Sequence, residues 1–345
     1  MITDNPRKYG NQPYSVVLVH GGPGAPGEMA SVARELSKRF GVLEPLQTKN
    51  SVSGQVEELK QQIIKNATTP VVLVGWSWGA WLSFIVAAEN PVLVKKLILI
   101  SSGPFEAEYA KSIMPTRLDR LTREEGEKVK ELIDTFQKGI IDNKLFQEFG
   151  ELMRKADSFD PIQERGGATE SQPDIYESVW KEAEELRRSG KLLEHGKSID
   201  SPVVVIHGDY DPHPFEGIKE PLSRTIKDCK FILLENCGHH PWLEKQAKDK
   251  FYEILTKELW SGKGPGFVKI KTTITGRIYT KIFALLEEHP EGLRWSELLS
   301  KIKEYYPSFH PKTINGCVWK LIEKYPKDVY KPSKGLFCLL KFKVI

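Results

Sequence analysis

The chain has 345 residues, of which 40% are apolar and 28% charged, with a net charge of +4. This is ample apolar material for a buried core and more length than one small domain needs. No run of about 18 apolar residues occurs, so no membrane-spanning helix is expected; MITDNPRKYGNQPYS at the N-terminus lacks the apolar centre of a secretory signal. Cys229, Cys237, Cys317 and Cys338 have no C-x-x-C spacing, so free thiols in a reducing cytoplasm are expected.

The charge is unevenly spread. Residues 261–345 hold 16 basic and 7 acidic side chains, which leaves 34 and 39 for residues 1–260. A basic C-terminal part and a mildly acidic remainder predict two domains with different partners. SGKGPG (261–266) has the composition of a linker. The predicted organisation is a domain over 1–260, a linker over 261–267 and a small basic domain over 268–345.

In chain order, SVVLVH (15–20) is an apolar run that ends in the glycine loop GGPG. GVLEPL (41–46) is a weaker strand, and 51–66 spaces Val56, Leu59 and Ile63 as a helix does. PVVLVGW (70–76) is a strand, and WLSFIVAAEN (81–90) is helical up to Pro91. Further apolar strands follow at 93–103, 202–209 and 229–236, with a helix between the last two and another over 241–259. Apolar strands alternating with helices predict a parallel sheet covered on both faces, with its functional edge at the strand carboxyl ends.

Between Pro104 and Ser201 the strand signals stop. Charged helical segments (106–114, 122–139, 144–156 and 173–190) predict a helical insertion that acts as a lid over that edge.

GWSWGA (75–80) lies between strand and helix. A strand-to-helix turn this sharp brings the two elements so close that the positions two before and two after its apex must be small, which Gly75 and Gly79 satisfy. Ser77 at the apex then stands at a helix N-terminus, where developing negative charge is favoured and the backbone N–H of Trp78 serves as an oxyanion donor. The rings of Trp76 and Trp78 are expected to wall the pocket. Downstream, HGDYDPHP (207–214) offers Asp209 and Asp211, and ENCGHHPWLE (235–244) offers His239 and His240. A serine hydroxyl needs a base, and the base needs an acid to fix its tautomer.

With these residues in the order Ser, Asp, His, residues 14–260 resemble the α/β-hydrolase fold family. The resemblance implies Asp211 as the acid, with Asp209 holding the loop, and His239 as the base, with His240 its neighbour. It also implies that HGGPG (20–24) is the oxyanion loop, with the N–H of Gly22 acting beside that of Trp78. HGGPG together with Trp-Gly after the serine is similar to proline-iminopeptidase-like serine hydrolases. Those usually read G-G-S-W-G, whereas Trp76 precedes Ser77 here, and they have a longer N-terminal segment with a strand hairpin. Their lid carboxylates bind a substrate amine; Glu164, Glu170, Asp174 and Glu177 lie in this insertion. Ester, amide and peptide bonds all remain open.

In the C-terminal part, 276–290 predicts a helix with Ile278, Ile282, Leu285 and Leu286 on one face. A short strand at Leu293–Trp295 and a helix capped by Ser296 follow. A third helix spans 310–326 with Ile314, Val318, Leu321 and Ile322 inward, and 329–342 reads as two strands around a turn. Residues 268–345 resemble a winged helix-turn-helix domain. That resemblance implies Lys312, Thr313, Asn315, Trp319 and Lys320 facing a major groove, and Lys331 and Lys334 reaching phosphates. Gly316 weakens the third helix slightly. A protein partner is the other use of such a module.

No metal cluster or cofactor motif occurs, and GGPG lacks the Gly-Lys-Ser/Thr of a phosphate loop. The expectation is a cofactor-free serine hydrolase acting on a small-molecule substrate through an acyl-enzyme. A ligand-responsive nucleic-acid-binding regulator is the alternative. An interaction protein without chemistry is the third reading, and a full set of nucleophile, acid, base and oxyanion donors weighs against it.

Overall fold

The structure is a computed structural model that describes residues 5–139, 143–162, 172–260, 274–307, 309–326 and 328–342. Chain contacts divide it into two compact units, Met1–Gly262 and Lys263–Ile345. The expected linker 261–267 and the carboxylates Glu164 and Glu170 lie outside the described residues.

In the first unit the elements run β1 (Arg7–Tyr9), β2 (Tyr14–Val19), α1 (Ala30–Leu36), β3 (Gly41–Glu44), α2 (Val52–Asn66), β4 (Val71–Trp76), α3 (Trp78–Glu89) and β5 (Val94–Ile100). Among the described residues six helices follow without a strand: α4 (Ala107–Ala110), α5 (Ile113–Asp119), α6 (Arg123–Gln137), α7 (Asn143–Ala156), α8 (Pro173–Arg188) and α9 (Lys191–Glu194). Then come β6 (Val203–Gly208), α10 (Glu216–Thr225), β7 (Cys229–Leu234) and α11 (Lys248–Trp260).

The seven strands pair in the order β1-β3-β2-β4-β5-β6-β7. Strands β2 to β7 are parallel to their neighbours, while β1 pairs antiparallel with β3 through Arg7 and Glu44. The sheet is therefore mostly parallel, where an all-parallel one was expected. Arg-Lys-Tyr carries no apolar alternation; its side chains meet Glu44 of β3, which accepts the Tyr9 hydroxyl at 2.6 Å and lies 3.8 Å from Arg7.

Alternation along each central strand feeds two cores. Val17, Leu73, Leu97 and Val205 face the side covered by α2, α3, α8 and α10. Val16, Val72, Ile98 and Val204 face α1 and α11. Strands buried on both faces need apolar residues at every position, which explains runs such as Val-Val-Leu-Val. The helical insertion between β5 and β6 follows β5 at the carboxyl edge of the sheet.

The second unit contains α12 (Ile274–Glu288), β8 (Leu293–Arg294), α13 (Trp295–Tyr305), α14 (Pro311–Trp319), α15 (Leu321–Lys324), β9 (Val329–Ser333) and β10 (Leu336–Leu339). Its antiparallel sheet has the order β8-β10-β9 and packs with the helices around Ile278, Ile282, Leu298, Ile314 and Val318. Two expectations are corrected. Ser296 is not the cap of α13: the helix begins earlier, with Arg294 at the cap position and its N–H bonded to the Glu297 carboxylate at 2.6 Å. The helix expected over 310–326 breaks at Lys320 into α14 and α15.

Candidate active site

The turn from β4 into α3 forces Ser77 to φ 54°, ψ −120°. A non-glycine residue there carries strain of about 1–3 kcal/mol, which the surrounding packing must hold. The Ser77 N–H is fixed to the Ile100 carbonyl at 3.0 Å. A Cβ on Gly75 would run into the Gly79 carbonyl, and one on Gly79 into the carbonyls of Val19 and His20. The two glycines are thus demanded by close approach, as their spacing predicts.

Ser77 Oγ lies 3.1 Å from His239 Nε2, and His239 Nδ1 lies 2.8 Å from Asp211 Oδ2. The Asp211 side chain is fully buried and that of His239 is 6% exposed. Burial works to raise the Asp211 carboxyl. The neighbouring His239, His207 and His213 outweigh it and hold the group well below the usual carboxylate range. Burial works to lower His239, but the charge and hydrogen bond of Asp211 prevail and keep the imidazole above the ordinary histidine value. An ionised carboxylate accepts only, so His239 carries its proton on Nδ1 and presents the Nε2 lone pair to the serine hydroxyl.

Further bonds hold this chain in register. The Asp209 carboxylate accepts the Cys237 N–H at 3.1 Å, which ties the loop after β6 to the loop after β7. The Trp76 indole N–H donates to the His239 carbonyl at 2.9 Å, and the His239 N–H donates to the Asp157 carbonyl at 2.8 Å. Arg117 grips the Asp157 carboxylate with two bonds of 2.7 Å. The Glu244 carboxylate accepts the N–H groups of Gly238, Phe159 and Asp160 at 2.8–3.0 Å.

The HGGPG loop is clamped through His20. Its Nδ1 bonds the Gly21 carbonyl at 2.9 Å and its Nε2 accepts the Gln47 N–H at 3.1 Å. Burial pushes this imidazole down to about 4, so it stays neutral as those roles require. Among the described residues the N–H groups of Gly22 and Trp78 have no protein acceptor.

The aromatic neighbours differ from expectation. The Trp78 ring does not wall this site: it turns into the core toward α2 and donates to Gln55 at 2.9 Å. Trp76 does border the site, with its ring centroid 5.3 Å from that of His239 and 4.7 Å from that of His240. His240 is buried between Trp76 and Trp242, and its Nδ1 has no partner.

Four groups escaped sequence reading. His213 bonds Asp211 through its backbone N–H at 3.0 Å and its Nδ1 at 2.7 Å. The Asp-x-His spacing was a usable signal for it. Arg117 and Asp157 come from the insertion and had none. Glu28 lies beside Gly22 with one carboxylate oxygen buried and unpartnered, and burial pushes it up to about 7.

Asp211, His213 and His239 bring possible metal ligands within 4.8 Å of one another, but hydrogen bonds among themselves already occupy them. In the second unit, Lys312, Asn315 and Trp319 are exposed along α14 and Lys320 at its C-terminal cap, Thr313 is half-buried, and Lys331 and Lys334 are exposed on the β9–β10 hairpin. Trp319 is 73% exposed. Among the described residues no helix is long and apolar enough to cross a membrane.

A buried imidazole held between a carboxylate and a strained serine can take the hydroxyl proton as the oxygen attacks a carbonyl. Comparison with known proteins bears on the family. The pimeloyl-[acyl-carrier protein] methyl ester esterase of Nitrosospira multiformis is 25% identical over 265 residues, covering 70% of this chain and 93% of that protein. Monoacylglycerol lipase abhd6-B of Xenopus laevis is 24% identical over 208 residues, covering 57% of this chain and 58% of the lipase. The crystal structure of VinJ superposes with a TM-score of 0.55 at 18% identity, covering 75% of this chain and 95% of VinJ, which speaks to the fold alone. The family model for the alpha/beta hydrolase fold matches residues 55–246, more than half of the chain, so this protein belongs to the alpha/beta hydrolase fold family and is a hydrolase.

Proposed function

We propose that the protein is a serine esterase. Ser77 is the nucleophile, His239 the general base and Asp211 the acid that orients it. The N–H groups of Gly22 and Trp78 bind the oxyanion, and an acyl-enzyme on Ser77 is then hydrolysed. The observation that carries this reading is the Ser77–His239–Asp211 chain, with bonds of 3.1 and 2.8 Å on a strained turn. Esters are favoured over peptides because the similar proteins are named as an ester esterase and a lipase. The proline-iminopeptidase-like features, HGGPG and Trp78-Gly79, keep an aminoacyl bond as the second candidate. The helices between β5 and β6 act as a lid over the ester. The four free cysteines suit a cytoplasmic setting.

The test is a panel of p-nitrophenyl esters of increasing acyl length beside a prolyl arylamide. Ester turnover that disappears in Ser77→Ala supports the proposal. Turnover of the arylamide alone moves the assignment to a peptidase, and an inert wild type defeats both.

We further propose that the second unit is a winged helix that contacts nucleic acid through α14 and the β9–β10 hairpin. The observation favouring it is the exposed row of Lys312, Asn315 and Trp319 on one helix, with exposed Lys320 at its C-terminal cap. Fluorescence anisotropy with duplex DNA should show affinity that falls steeply with salt and weakens in Lys312→Ala/Lys320→Ala. Absence of binding at low salt leaves a protein partner as the use of this face.

A further inference from the structure

Asp211 accepts from two imidazoles. Its Oδ2 takes the Nδ1–H of His239 at 2.8 Å, while its Oδ1 takes both the Nδ1–H and the backbone N–H of His213, at 2.7 and 3.0 Å. The two rings lie 4.6 Å apart, 31° from parallel. His213 is held from behind, because His207 Nε2 donates to its carbonyl at 2.7 Å. The geometry makes His213 and His239 rivals for the charge of one buried carboxylate.

We propose that His213 is a positioning residue that fixes the rotamer of Asp211, draws off part of its negative charge, and so sets the pH at which His239 becomes a working base. The inference rests on the reading of Ser77, His239 and Asp211 given above.

The reasoning is electrostatic. Each donor on a carboxylate stabilises its charge and lessens what remains to hold a proton on a neighbouring imidazole. Both bonds come from one residue two positions along the chain, so the carboxylate cannot swing to favour His239. His213 stays neutral while it does this, since burial brings its ring down to about 4. The other charged or titratable groups facing this cluster are Arg117 of α5, Asp157 after α7, Arg154 of α7, Glu28 after β2, His207 of β6, His240 and Cys237 after β7. None of them bonds an Asp211 oxygen within 3.5 Å; His207 comes nearest, with Nε2 3.7 Å from Oδ2.

The test compares wild type, His213→Ala and His213→Asn by two readouts. One is the imidazole titration of His239 by NMR, assigned with His239→Gln. The other is the pH dependence of the second-order rate of labelling by a fluorophosphonate. Removing the side-chain donor should raise the His239 titration and move the acid limb of labelling upward by about half to one pH unit. Asn places an amide N–H close to where Nδ1 stood, so it should restore both toward wild type. An unchanged His239 titration in folded His213→Ala overturns the inference, as does an equal shift in both variants. A shifted titration in a protein that never labels would keep the role of His213 and defeat the esterase reading instead.

Discussion

The backbone N–H of His239 donates to the backbone carbonyl of Asp157 at 2.8 Å. Asp157 belongs to the insertion, just after α7, and its buried carboxylate is gripped by Arg117 of α5. The base of the proposed esterase is therefore positioned partly by the helices that would cover its substrate. Arg117→Ala leaves Asp157 buried and uncompensated, a change that costs about 3 kcal/mol when a buried pair is broken on one side. Urea unfolding should show that loss. Labelling of Ser77 should slow by roughly tenfold, because small displacements of a catalytic group are costly. Unchanged labelling would mean that the insertion does not position His239.

The pH dependence of activity and of stability should run in opposite directions at His239. Its folded-state value is raised, so the stability it contributes is complete below the unfolded histidine value and is lost as pH rises through the raised one. Asp211 is depressed, so its contribution is present above the unfolded carboxylate value and is lost as pH falls through the folded one. Labelling needs neutral His239 and should climb with pH over the window where the stabilisation from His239 fades. Thermal melts of wild type and His239→Gln across pH 5–9, beside labelling rates, check both signs.

Glu28 gives a separate signature. Its carboxyl is pushed up to about 7 by burial, so the folded state holds that proton more tightly than the unfolded state does. Stability should therefore decline between the unfolded carboxylate value and about 7 as pH rises. Glu28→Gln removes the titration. Its advantage over wild type should grow between pH 5 and pH 8, reaching about 2 kcal/mol once the partial exposure of the residue is discounted. A constant difference across that range would show that Glu28 is solvated.

Gly75 and Gly150 make a matched pair. A Cβ at Gly75 meets the Gly79 carbonyl and the Ser83 hydroxyl, whereas one at Gly150 meets nothing within 4 Å. Gly75→Ala should cost about 3 kcal/mol or more, through forced separation of β4 and α3. Gly150→Ala, inside α7, should be neutral or stabilise by up to about 1 kcal/mol. Denaturant midpoints of the two variants give the comparison.

The central strands and the Ser77 turn were legible in the sequence because their requirements are local. Val71 to Trp76 must be apolar throughout, and the residues two before and two after Ser77 must lack a Cβ. Relations set by distant partners were not legible. Arg7 to Tyr9 form a strand against distant partners, Glu44 on β3 and Leu46 after it, which Asn5 binds. Trp78 follows the serine, yet its ring is claimed by Gln55 on α2 and leaves the site. Arg117 and Asp157 look like ordinary members of charged helices until the fold brings them behind His239. The break at Lys320 has no proline to announce it, and Gly316 lies a full turn earlier, inside α14. His213 was within reach, two residues after Asp211, but the same loop already offered a complete role for the aspartate alone.

The central claim is that Ser77 is an activated nucleophile. The direct measurement is fluorophosphonate labelling of the full chain, followed by peptide mass spectrometry to locate the adduct. The account predicts a single adduct on Ser77 in wild type and none in Ser77→Ala or His239→Ala. It also predicts a rate in Asp211→Asn lower by about 10⁴ if the wrong tautomer is held there. Folded wild-type protein that stays unlabelled, or an adduct that persists in Ser77→Ala, would contradict it.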